Sequence, residues 1–291
     1  MPVFRWYYFL FSLPLYMLAI LPMRVLFVLS DIMRFFVYHA FAYRKQIVFT
    51  NLRNSFPDKS EAWINKTAFE YYRNLLDVTL ETIKMATASK LFLNKRIQLF
   101  GLDLVHDLNK NKQPFILVCG HSGNWEWAGQ ALQLNSVQVD GLYHPLSSKW
   151  FNWFLYKARA RFGLYPVPMQ TSLREMVQRK HIPSAITFIA DQTSGPENCH
   201  WTRFLNQDTP FFLGAEKVAK KFNYPVVFAE AYRTKRGHYA VYFSMLCAEP
   251  IKTKDFEITE LFAAALEKQI LKQPDAWLWS HRRWKHKRPN L

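Results

Sequence analysis

Cysteine is scarce in this chain. Cys119, Cys199 and Cys247 are the only three, widely spaced and odd in number. They form no CxxC pair and no His/Cys cluster at zinc spacing, which argues against a disulfide framework or a zinc module. Reduced thiols facing a cytosol are the expected state, with Cys119 as a small core hydrophobe. Acidic residues are also few: 22 Asp and Glu stand against 38 Lys and Arg, a net charge of +16. That balance favours polyanionic partners such as nucleic acid, anionic lipid or acidic proteins. No helix-turn-helix, zinc-finger or RNP-type motif occurs, so nucleic acid is not the expected partner. There is no internal repeat, low-complexity tract or interdomain linker across the 291 residues.

Apolar and aromatic residues are abundant. Half the chain is hydrophobic and 17% is aromatic, with 25 Phe, 14 Tyr and 10 Trp, so a packed core is expected. The longest apolar run is at the start, "WYYFLFSLPLYMLAILPMRVLFVLS" over residues 6–30. From Trp6 to Met23 it carries no charge, about the length of a bilayer core. Arg5 and Arg24 flank it, and Trp6, Tyr7 and Tyr8 sit where an interfacial aromatic belt would lie. Pro14 and Pro22 would kink a helix, so an immersed helix that does not cross is an open alternative. A cleaved signal peptide would need a small-residue site after the run, which is missing. Residues 1–30 are expected to be a membrane anchor and 31–291 the functional domain. Arg34, Arg44 and Lys45 after the run place that domain on the cytoplasmic side, against an anionic membrane surface.

Beyond a turn ending at Ser60, apolar residues recur at three- and four-residue spacing and predict helix, with Ser60 as its cap. The chain then alternates. Runs at 115–119, 137–143, 185–190, 225–231 and 239–245 predict strands. Helices are expected at 125–134, 149–162, 171–180, 211–222 and 255–272. Such alternation implies an α/β fold, a mixed and largely parallel sheet flanked by helices.

The stretch "VCGHSGNWEWAG" at 118–129 holds the residues most suited to chemistry. Its "GHSG" looks like a nucleophile elbow, but Gly-x-Ser-x-Gly needs glycine where Asn124 stands. His121 and Glu126 offer two metal ligands without an HExxH or Cys/His partner. A third reading makes His121 a general base and Glu126 its carboxylate partner. Five positions apart on one helix they could not meet. They could if His121 lies in the loop leaving strand 115–119 and Glu126 in the first turn of the next helix. Gly120 and Gly123 permit that loop, and Ser122 or Asn124 can cap the helix.

His-x4-Glu after a strand resembles the glycerolipid acyltransferase superfamily. The wider set of "HSGNWEW", "RFG" at 161–163, "ADQTSG" at 190–195 and "NLRNSFP" at 51–57 resembles the bacterial lipid A late acyltransferases more closely. The resemblance implies a glycerolipid-acyltransferase-like fold with an N-terminal hydrophobic anchor helix in the bacterial inner membrane. It also implies O-acyl transfer from acyl carrier protein, or coenzyme A, to a hydroxyl of a lipid A precursor. No metal or redox cofactor is called for. Carried over, His121 and Glu126 would be catalytic, and Arg161, Asp191, Gln192 and Asn124 would bind substrate. Two departures bear on the acceptor: Thr193 stands where members often have Asp, and "FLNQDTPFFLG" at 204–214 follows the family pattern loosely. Another lipid acceptor would use the same chemistry, and a non-catalytic basic surface protein is the alternative outside enzymes. Trp125 and Trp127 are expected to pack, and the tail from His281 to Arg288 to be solvated.

Overall fold

The computed structural model describes residues 5–192, 195 and 199–288. Thr193 and the chain ends of both expected regions therefore lie outside the described residues. In chain order the helices and strands begin with α1 (Trp6–Ile20), α2 (Met23–Phe35), α3 (Lys45–Ser55), α4 (Glu61–Lys84) and α5 (Lys90–Asn94). They continue with β1 (Ile97–Phe100), α6 (Leu102–Lys110), β2 (Phe115–Cys119), α7 (Trp125–Leu134), β3 (Gln138–Tyr143), α8 (Lys149–Ala160) and β4 (Tyr165–Pro168). Then follow α9 (Ser172–Gln178), β5 (Ser184–Ile189), β6 (Cys199–Phe204), β7 (Gln207–Phe212) and α10 (Gly214–Phe222). The last are β8 (Val226–Lys235), β9 (His238–Cys247) and α11 (Glu257–Lys272).

Seven strands form one sheet in the order β1-β9-β8-β2-β5-β3-β4. The block from β8 to β4 is parallel, whereas β9 runs antiparallel to β8 and carries β1 parallel to itself. Parallel strands covered on both faces read as unbroken apolar runs, and β2, "FILVC", is buried throughout. Phe115, Leu117 and Cys119 enter one core with Trp127 and Phe154 of the α7–α8 layer; Ile116 and Val118 enter the other with Phe262 and Leu266 of α11. Helix α4 serves both cores, with Ile64, Ala68 and Tyr71 in one and Leu80 and Ile83 in the other. Ser60 caps α4 as expected, accepting the Trp63 N–H at 3.3 Å.

Four departures have local causes. The helix expected from 211 starts at Gly214, because Phe211 and Phe212 belong to β7. Strands β6 and β7 form a hairpin closed by Leu205 and Asn206, both at positive φ (48° and 63°), without the Asn-Gly or Asp-Gly signal such turns favour. Strands β1 and β4 are four-residue edges, too short to show a period. The expected single anchor helix is two helices, bent by 110°. Pro22 disfavours helical backbone at Leu21 and brings no N–H of its own, so α1 ends there while Pro14 is absorbed inside it. Lys84 Nζ then donates to the freed carbonyls of Ala19 (2.8 Å) and Leu21 (3.0 Å). Among the described residues, no single helix is long and apolar enough to cross a membrane. Both helices pack on the domain: α1 on α4 and α8, α2 on α4. Ser30 donates to Asp77 at 2.6 Å, and Arg236 ties Asp31 to Asp77.

Candidate active site

The site is built where two neighbouring parallel strands end. Cys119 of β2 is in register with Ile189 of β5, and two residues further on each chain stand His121 and Asp191. Adjacency of the strands thus brings together side chains 70 positions apart. Gly120 makes the approach possible: a Cβ there would lie 2.5 Å from Leu266 Cδ1 and 3.3 Å from Asp191 Oδ2.

Asp191 holds His121 at two points. Its Oδ2 accepts the His121 backbone N–H at 2.8 Å, and Oδ1 lies 2.6 Å from Nδ1. A third donor, the Trp277 indole, reaches Oδ2 at 2.7 Å. Burial alone would raise the pKa of this carboxyl. The His121 charge and these hydrogen bonds outweigh burial and hold it at about 2. An ionised Asp191 keeps the proton on Nδ1, so Nε2 presents a lone pair toward the opening, 3.3 Å from the Gln192 amide. That is the arrangement a general base requires.

This corrects the expected pair. Glu126 does lie in the first turn of α7, but its carboxylate meets Arg159 of α8, at 2.9 Å from Nε and 2.5 Å from Nη2. Burial works against the Arg159 charge, and Glu126 more than compensates, so its proton is held more tightly than usual. Asp191, expected to bind substrate, is 2% exposed with both oxygens engaged by protein donors. Asn124 is likewise buried: its Oδ1 caps α7 through Trp127 N at 2.9 Å, and its amide donates to Glu81 at 2.7 Å. The Arg161 guanidinium is occupied by the carbonyls of Ala86 and Ala88, beyond the end of α4. Of the expected binding residues, Gln192 faces His121 Nε2. Ser122 is 3% exposed and its backbone bridges to Trp277, so its hydroxyl is not displayed as a nucleophile elbow would display it.

Sequence reading missed Trp277 and the segment around it. The tail expected to be solvated is so only in part: Arg282, Lys285, Lys287 and Arg288 are exposed, whereas the segment as a whole folds back on the domain. Gly123 N donates to Ala276 O at 3.3 Å, Asn51 of the "NLRNSFP" motif holds the carbonyls of Trp279 and His281, and Arg283 is fully buried on Pro210 O. Burial drives His281 down to about 4 and Arg283 to about 10. Arginine and histidine in a terminal basic run carry no sign of such burial.

Trp125 stands edge-on to His121, ring centroids 4.9 Å apart, and divides the space around it. On one side is a cavity of about 350 Å³ bounded by His121, Tyr71, Leu75 and Val78 of α4, and Trp277. Beneath α7 lie two more, about 450 and 460 Å³, both walled by Trp125, Gly129, Thr187 and Ile189. The first of these is almost wholly apolar; the second extends to Leu164 and the Glu126–Arg159 pair. Gly129 and Gly141 both face Leu164, where a Cβ would come within 3.3 and 3.2 Å of it. Among the described residues no three His, Cys, Asp or Glu side chains are placed to hold a metal ion.

Comparison with known proteins bears on what this arrangement serves. A lipid A biosynthesis acyltransferase of Haemophilus influenzae is 21% identical over 206 residues, which covers 71% of this chain and 65% of that protein. A lipid A biosynthesis palmitoleoyltransferase of Escherichia coli is 21% identical over 244 residues, 83% of this chain and 79% of that one. The crystal structure of the 1-acyl-sn-glycerophosphate (LPA) acyltransferase PlsC from Thermotoga maritima covers 88% of this chain at 13% identity, with a TM-score of 0.40. The family model for bacterial lipid A biosynthesis acyltransferases matches residues 3–286, nearly the whole chain. The chain belongs to that family.

Proposed function

We propose that this protein is an O-acyltransferase that moves a fatty acyl chain from a carrier thioester to a hydroxyl of a lipid A precursor at the membrane surface. The observation that carries the reading is the His121–Asp191 pair, its Nε2 met by the Gln192 amide and its ring flanked across Trp125 by apolar pockets. The apolar lining beneath α7 suits the donor's acyl chain, and the pocket beside His121 that α4 bounds suits the acceptor.

In this reading His121 Nε2 takes the proton of the acceptor hydroxyl as its oxygen attacks the thioester carbonyl. The tetrahedral oxyanion collapses, the C–S bond breaks, and the imidazolium returns the proton to the departing thiolate. Asp191 keeps the imidazole in the required tautomer and stabilises its charged form. The positive end of α7 begins four residues from His121 and favours the oxyanion. Glu126 acts through Arg159, joining α7 to α8 along the wall of the pocket that extends to Leu164. The net charge of +16 suits both an acidic carrier protein and a phosphorylated acceptor.

The experiment is an acyl-transfer assay of the purified protein with labelled acyl carrier protein and coenzyme A thioesters against a panel of acceptors. A lipid A precursor acylated from the carrier protein is the expected product. Transfer only to a lysophospholipid or aminolipid would replace the acceptor, and no transfer from either donor would overturn the reading.

A further inference from the structure

Asp191 has three donors on two oxygens, and one of them comes from the far end of the chain. Trp277 is 2% exposed and boxed between Phe204, Trp279 and Trp284, with ring centroids 4.7 to 6.0 Å apart. Its backbone bridges Ser122, and its neighbour Ala276 accepts the Gly123 N–H. One two-residue stretch therefore fixes both the loop that carries His121 and the carboxylate that orients it. A buried indole needs an acceptor, and packing alone would explain some partner. It does not explain why that partner is the carboxylate on His121. With Oδ2 tied at 2.8 and 2.7 Å by two N–H groups, the carboxylate plane is set and only Oδ1 is left for Nδ1.

We infer that Trp277 is a positioning residue for acyl transfer, its indole N–H fixing the orientation of Asp191 and, through it, of His121. The inference rests on the function proposed above. The ionisable groups that act on Asp191 are His121, Cys119 in β2, and His281 and Arg283 in the C-terminal segment. All four remain when the indole donor is removed.

Two full-length variants test it. Trp277→Phe removes the donor and some volume. Trp277→3-benzothienylalanine keeps the bicyclic shape and replaces N–H by sulfur, so it answers if the Phe variant fails to fold. The expected kcat falls roughly tenfold per folded molecule, the size of one charge-assisted hydrogen bond, with KM within about twofold. Asp191, less neutralised, then favours the imidazolium more, so the acid limb of kcat/KM moves to higher pH. Packing loss alone would lower the melting temperature and the folded fraction without moving that limb. A limb that coincides with the wild type's overturns the inference. The His121 titration followed by NMR in the same proteins reads the same displacement with no substrate. Absence of acyl transfer in the unsubstituted protein would thus sink the proposed function while leaving this inference separately decided.

Discussion

A carboxyl group sealed from water at Glu81 stands one hydrogen bond from the cap of the helix that follows His121. Its Oε2 accepts from Asn124 at 2.7 Å and from the Tyr239 hydroxyl at 2.6 Å. Burial pushes Glu81 up to about 7, and these two donors only partly oppose it. A carboxyl raised in the folded state from 4.5 to about 7 stabilises the fold fully below the lower value. That contribution is lost as pH rises through the upper one, a change on the order of 3 kcal/mol. Glu81→Gln keeps an oxygen for both donors and cannot ionise. Melting temperatures across this window should therefore fall with rising pH in the wild type relative to the variant. Parallel curves would show that Glu81 does not titrate there. At this scale His121 was legible from its place after an apolar strand and between two glycines. Its partner was not, because Glu126 satisfies the same spacing whether its carboxylate meets His121 or, as it does, Arg159.

Among elements, α1 and α2 leave an exposed apolar surface that the fold does not cover. Trp6, Met17 and Ile20 are each 69% exposed, and Phe9, Phe11, Val28 and Phe35 are exposed beside them. Lys84, Asp77 and Arg236 hold both helices against the domain, so the apolar face is presented by a docked pair rather than by a free tail. Arg5 and Arg24, with Arg34, lie along the same two helices and suit anionic headgroups. The full protein should therefore cosediment with phosphatidylglycerol vesicles. Replacing Trp6, Met17 and Ile20 together by serine should weaken that association at least about tenfold, given 1.5–3 kcal/mol per fully buried large apolar side chain. The melting temperature should hold, because these side chains contribute little to the core. Equal binding by the triple variant would remove the helices from the membrane contact. The apolar run was legible in the sequence; its division was half legible. Pro14 and Pro22 offer the same breaking signal, and only packing decides that the second one bends the chain.

Across the whole molecule, the strands at 115–119 and 185–190 could be read from apolar runs, but their order in the sheet could not. Alternation predicts a parallel sheet without saying that β5 slips in beside β2, and that adjacency makes the His121–Asp191 contact. The C-terminal closure was equally hidden, since its cause is Asn51 and Trp277 reaching across more than 80 positions. In the proposed mechanism Asp191 is the carboxylate that makes His121 a base. Asp191→Asn tests it directly. An amide at this position can satisfy Trp277 with its oxygen, but it then turns an N–H toward Nδ1. The imidazole must carry its proton on Nε2, where it cannot take one from a hydroxyl. The kcat for acyl transfer by the folded variant should fall on the order of 10³-fold, with unchanged cosedimentation on vesicles. A variant that transfers acyl chains within about twofold of the wild-type rate would contradict this mechanism.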